Sequence, residues 1–273
     1  MDLNVLKLLI KNGEIPVKYE FVHDIQDEKI SIYKDKNQEK VAVKKYIKEY
    51  VLKNGDKCYN EIKILKQAES KWVIELIDSF MTRDDSVILI MPFYSHGDLF
   101  NVMLENEAKE TSFSDVQIRN VFIQMLNALK YLHSLNIIHR DIKMENIIVT
   151  NSSYLFNIIL IDFECAIIYN PKYPPCDNVG TLSYKAPEVE KRKAQDFKVD
   201  IWSLGVVIYS MKTKDQFDRK YALKHSLIKS DRNLLNLLSG IFQKNPKKRF
   251  TIVDCIDHKW VNIMKIFKKM SKL

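Results

Sequence analysis

Between Ile137 and Val149 the chain reads IIHRDIKMENIIV, a short polar loop between apolar flanks. It holds a candidate base, a candidate cation and a candidate metal ligand. Asp141 would accept a proton from a hydroxyl nucleophile, and Lys143 would steady the negative phosphate being moved. Asn146, further along the same loop, would hold a magnesium ion. Phosphoryl transfer calls for such parts, because its barrier falls mainly through positioning and charge neutralisation.

Those residues need elements to position them. Ser114-Asp115-Val116-Gln117 reads as a capping box opening a helix that runs through roughly Leu135. Val121, Phe122, Met125, Leu126, Leu129 and Leu132 form its buried stripe, and the helix delivers the chain to the polar loop. Upstream, EFVHDIQ, KISIYK and KVAVKKY read as strands. In CYNEIKILKQA, Tyr59, Ile62 and Leu65 fall at helical spacing, with Glu61 on the same helix. SVILIMPFYSHGDLFNVM supplies another strand and then a connector, and NIILIDFE reads as a buried strand ending in Asp162. Leu3, Leu6 and Ile10 suggest a short amphipathic helix in the N-terminal extension. Asp2, Lys7 and the lack of a small-residue cleavage site argue against a signal peptide there.

With 273 residues, 46% hydrophobic and 29% charged, the chain has the composition of a soluble globular domain with a sizeable core. Its formal charge of +8 fits either an acidic partner or nucleic acid, or a lysine-rich solvated surface. Cys58, Cys165, Cys176 and Cys255 lie too far apart for a zinc signature or a compact disulfide framework, which points to a reducing compartment. No run approaches the length of a membrane span, so no membrane partner is expected.

The polar loop resembles the H-R-D-L-x-x-x-N catalytic loop of eukaryotic serine/threonine protein kinases, and other landmarks of that family follow in order. The resemblance implies an α+β, two-lobed fold: an extension over 1–18, a β-rich small lobe over 19–93 and a helical large lobe over 94–273, with the kinase domain at 19–262. It implies ATP and Mg²⁺ as cofactors and protein as substrate, with the serine/threonine preference following Lys143. VAVKK matches the V-A-I-K strand, making Lys44 the candidate partner of the nucleotide's α- and β-phosphates and Glu61 its ion-pair partner. Lys45 competes on sequence alone, while alternation from Val41 and Val43 favours Lys44. Met91 falls at the gatekeeper position, Phe93 in the connector, and Asp98 where the family places an acid near the ribose. Asp162 becomes a metal ligand beside Asn146, His139 a structural residue, and Arg140 a partner for an activation-loop phosphate. Glu188 is expected to pair with Arg249, and the helix carrying Asp200 and Trp202 to support the catalytic loop.

Three departures stand out. The glycine-rich loop is absent: HDIQDEK takes its place, and Asp24, Asp27 and Glu28 either bring like charge towards ATP or turn to solvent while the backbone still covers it. Glu164 replaces the D-F-G glycine, where it would assist metal binding or repel phosphates. CAIIYNPKYPPCDNV contains no serine or threonine, so phosphorylation on those residues is not expected to switch the loop on. Met91-Pro92-Phe93, YNEIKIL and GTLSYKAPEV resemble most the replication-origin-activating cell division cycle protein seven kinase family. That implies an activating regulatory subunit, a cell-cycle role and a nuclear location, otherwise a cytoplasmic one, with no direct nucleic-acid contact. The alternative is a pseudokinase scaffold or allosteric subunit.

Overall fold

The computed structural model describes residues 6, 10–16, 18–26, 29–151 and 154–262. The chain divides into two compact units, Met1–Ser95 with Asp162–Ile167, and His96–Ile161 with Ile168–Leu273. The first is built on a β-sheet and the second is mainly helical, which gives the α+β class expected from the sequence.

The sheet of the first unit contains β1 (Lys11–Asn12), β2 (Glu20–Gln26), β3 (Ile30–Lys34), β4 (Lys40–Tyr46), β5 (Asp78–Met81) and β6 (Val87–Pro92). Their spatial order is β1-β5-β6-β4-β3-β2. Val41 and Val43 of β4 join Phe80, Ile88 and Ile90 in a core closed by Ile15, Tyr19 and Tyr33. Lys44 lies on the opposite face of the pleat, as the period of two requires. It is buried while Lys45 is exposed, which decides between the two lysines. The edge strand β2 shifts register twice against β3, a bulging that blunts an open edge.

Helix α1 spans Lys48–Gln67 and kinks where Asn54 leaves helical geometry. Val51, Gly55, Cys58, Ile62 and Leu65 are buried at spacings of three and four, so its apolar stripe passes through Cys58 while Tyr59 sits at the margin. Most of the helix expected near the N-terminus lies outside the described residues. Leu6 and Ile10 are buried, and the Ile10 amide donates to the Leu6 carbonyl at 3.3 Å. Lys11–Asn12 departs from the helical extension: it is a strand paired in parallel with β5. The edge of β5 offers backbone partners there, and the Lys11 ammonium reaches Asp78 at 3.2 Å.

In the second unit, α2 (Leu99–Ala108) is followed by α3 (Asp115–Ser134). The capping box is present: Ser114 Oγ accepts from the Gln117 amide at 3.3 Å, and Gln117 Oε1 accepts from the Ser114 amide at 2.9 Å. All six stripe residues named from the sequence are buried. After α3 come β7 (Ile137–Ile138), a 3-10 turn over Met144–Asn146, and the antiparallel pair β8 (Ile147–Val149) and β9 (Ile158–Leu160). Beyond a short α4 (Pro187–Glu190), α5 (Lys198–Thr213) is buried nearly all round and forms the centre of this unit. No helix among the described residues is long and apolar enough to cross a membrane.

Candidate active site

The first unit assembles a buried charge cluster around Lys44. Its ammonium donates to Glu61 Oε1 at 2.8 Å and to Asp162 Oδ1 at 2.9 Å. Burial alone would lower the pKa of this group, but the two carboxylates outweigh it and hold it above its ordinary value. Lys44 therefore stays a cation, the state in which it could pair with phosphate oxygens. Asp162 adopts a left-handed backbone, φ +61°, which a non-glycine residue holds only when its surroundings fix it. Glu61 Oε2 accepts from the Tyr46 hydroxyl, so both oxygens of this carboxylate are engaged.

Glu164 has both of its oxygens engaged within the first unit. Its Oε1 accepts from the Tyr50 hydroxyl on α1, and its Oε2 from the Lys29 ammonium at 3.1 Å. Burial would raise its pKa, yet the Tyr50 hydrogen bond and the Lys44 and Lys29 charges bring it below the ordinary carboxylate value. In the stretch that replaces the glycine-rich loop, Asp24 is exposed and Oδ1 accepts from Ser31 Oγ across the β2–β3 pair at 2.5 Å. Asp27 and Glu28 lie outside the described residues. Met91 is half-buried on β6 opposite Ala42, and Phe93 has the Lys40 ammonium 5.6 Å from its ring centroid.

The second unit assembles the catalytic loop. Asp141 Oδ1 accepts from the amide and the hydroxyl of Thr181, each at 2.8 Å. The Lys143 ammonium donates to Thr181 Oγ1 at 3.2 Å and stands 3.4 Å from Asp141 Oδ2. Asn146 Nδ2 donates to the Asp141 carbonyl at 2.8 Å, which fixes the turn that carries both residues. Gly180, φ +85°, admits this approach: a Cβ there would lie 2.4 Å from the Arg140 carbonyl.

Asp200, fully buried in the first turn of α5, holds the loop from below. Its Oδ2 accepts from the His139 amide at 3.0 Å and its Oδ1 from the Arg140 amide at 2.8 Å. Burial would raise this carboxyl's pKa, but the His133 hydrogen bond, the nearby histidine charges and the Arg140 amide bring it below the ordinary range. His139 is buried, its Nε2 3.1 Å from the Ile161 carbonyl, in keeping with a structural role. Asp98 caps α2, accepting from the Asn101 amide and side chain at 2.8 Å each. Its carboxylate thus has a local structural duty that the ribose assignment did not include.

Sequence reasoning missed several participants. Tyr46 and Tyr50 serve the two carboxylates, and Tyr46 could have been suspected because it shares a strand face with Lys44. The Arg140 guanidinium donates to Asp177 Oδ1 at 2.6 Å. Asp177 is the only acidic residue between Glu164 and Glu188, and that was the available signal.

The fold, the Lys44–Glu61 pair and the Asp141 loop define one class, and comparison with known proteins agrees. The chain belongs to the protein kinase domain family, which it matches over residues 29–261. It is similar to a probable myosin light chain kinase of Dictyostelium discoideum, 29% identical over 247 residues covering 83% of this chain and 49% of the relative. It is also similar to the CaM kinase-like vesicle-associated protein of Danio rerio, 28% identical over 277 residues covering 91% and 62%. The probable serine/threonine-protein kinase nek1 of Dictyostelium discoideum is 31% identical over 253 residues, covering 83% and 52%. The chain thus spans about half to three-fifths of the length of these relatives.

Proposed function

We propose that this chain is a serine/threonine protein kinase, moving the γ-phosphoryl group of ATP to serine or threonine hydroxyls of protein substrates. The observation that carries the reading is Asp141 accepting from an aliphatic hydroxyl, that of Thr181, with the Lys143 ammonium on the same oxygen. A substrate hydroxyl presented to this carboxylate loses its proton to Asp141 as its oxygen attacks, and Lys143 offsets the charge that develops. Mg-ATP, when bound, supplies the transferable phosphoryl group. By resemblance to the family, Asp162 and Asn146 are the residues that would hold Mg²⁺, each carrying an oxygen donor of the hard type it takes. Lys44, kept charged by Glu61 and Asp162, suits the nucleotide's phosphates. Transfer of labelled γ-phosphate from Mg-ATP to an acidic serine-containing peptide library, with Asp141→Asn as control, tests the proposal. Nucleotide binding without transfer would favour the pseudokinase scaffold instead.

The activation segment supports a kinase that needs no phosphate there. Asp177 already supplies an anion to Arg140, and its carbonyl accepts from Gln195 Nε2 at 2.7 Å. Asp177 is half exposed, so the pair is worth a fraction of a buried one. Asp177→Asn is expected to lower transfer a few-fold, whereas phosphatase treatment of the wild type leaves the rate unchanged. A large loss on phosphatase treatment would contradict this reading.

A finer placement, in replication-origin activation with a regulatory subunit and a nuclear location, rests on the short hinge, YNEIKIL and GTLSYKAPEV stretches. Stimulation of transfer by a co-expressed candidate subunit is its measurement, and an unchanged rate counts against it.

A further inference from the structure

Glu164 stands where the family pattern has glycine, so its side chain is an addition that the shared chemistry does not require. The first unit nevertheless uses both of its oxygens, one for a phenol (Tyr50) and one for an ammonium (Lys29). Glu61 is engaged in the same way, by the Tyr46 phenol and the Lys44 ammonium. The two phenol rings stack, with centroids 5.1 Å apart and planes 18° from parallel. The Lys44 ammonium lies 4.9 Å from the Tyr46 ring centroid. These contacts close a ring: Glu164 to Tyr50, Tyr50 to Tyr46, Tyr46 to Glu61, Glu61 to Lys44, and Lys44 to Asp162, two residues before Glu164.

We propose that Glu164 is a positioning residue whose carboxylate ties the Asp162–Ile167 segment to α1 and to the start of β3, and so keeps Asp162 and Glu61 together on Lys44. Of its two anchors, Tyr50 matters more, because Lys29 is half exposed and its ion pair is weakened by solvent. With glycine at this position the Tyr50 hydroxyl and the Lys29 ammonium would both lose this acceptor. The kinetic consequence rests on the phosphotransfer reading of the site, but the positioning role does not.

Hydrogen–deuterium exchange of the nucleotide-free protein tests it, using the wild type, Tyr50→Phe, Glu164→Gly and Glu164→Gln. Tyr50→Phe keeps the ring stack and removes only the donor. It is expected to speed amide exchange across 162–167 and 48–56 about tenfold, the value of one hydrogen bond to a charged group. Glu164→Gly should do at least as much. Glu164→Gln should stay nearer the wild type, since its amide oxygen still accepts from Tyr50. Wild-type exchange in both Tyr50→Phe and Glu164→Gly would overturn the proposal, and Tyr50→Phe decides alone if the glycine variant does not fold. In transfer assays the same order is expected in kcat, with glutamine restoring what glycine loses. If the wild type transfers no phosphate while exchange responds as expected, the phosphotransfer reading fails and the positioning role stands.

Discussion

Asp141→Asn is expected to cut phosphate transfer by roughly 10²- to 10⁴-fold, the usual worth of a positioned general base, without unfolding the protein. The loss is chemical. An asparagine oxygen can still accept from the Thr181 amide and hydroxyl, which lie 2.8 Å from Asp141 Oδ1, so the loop keeps its main tie to the activation segment. What disappears is the capacity to take a proton, together with the charge that faces Lys143 at 3.4 Å. Measurement of kcat alongside a thermal melt separates the two contributions. Transfer at the wild-type rate in this variant would place the base elsewhere and sink the assignment of Asp141. A variant that melts far below the wild type would show that the carboxylate serves structure more than chemistry.

The largest stability effect is expected at Arg249 and Glu188, 61 residues apart in the chain. Both side chains are almost wholly buried, and the guanidinium meets the carboxylate in a two-pronged contact at 2.6 and 2.8 Å. Removing one partner leaves the other as an unpaired buried charge, so Glu188→Ala or Arg249→Met should cost about 3–5 kcal/mol. In a domain of this size that lowers the melting midpoint by on the order of 10 °C. The pair as a pair is worth less than either loss suggests, because its Coulomb energy is offset by desolvation. Replacing both residues by apolar ones should therefore cost less than the sum of the single changes. Recovery should stay incomplete, since Arg249 also donates to the carbonyls of Lys198 and Gln243. Single variants within about 1 kcal/mol of the wild type would show that the site readily admits water.

How much of this could be read in advance depended on how far apart the partners lie. The capping box at Ser114 closes within four residues, so its donors and acceptors are visible in the sequence itself. Lys44 was separable from Lys45 because a strand's alternation is local, and Glu61 followed from family order. Lys11–Asn12 offered no such signal, because two residues carry no period and the strand exists only because β5 presents an edge. Glu164 could be read only as an anomaly: its partner Tyr50 is 114 residues away, and nothing in a single sequence links them. Asp177 was legible in principle, as the one acid available to Arg140, yet the absence of serine and threonine drew attention to what the segment lacks. The kink at Asn54 was not legible, since asparagine inside a helix more often marks only a weaker position.

Asp200 grips the catalytic loop by main-chain amides, those of His139 and Arg140, and not by their side chains. Every residue except proline brings such an amide, whatever else it carries. The Asp200 grip itself is therefore indifferent to the side chains at those two positions. The path of the chain through Asp141 asks more of them, because Arg140 holds a left-handed backbone, φ +66°, and the buried His139 ring accepts from the Asp141 amide at 3.3 Å. The anchor beneath the loop can thus outlast an exchange of side chains, whereas the hold of the buried His139 ring on the Asp141 amide cannot.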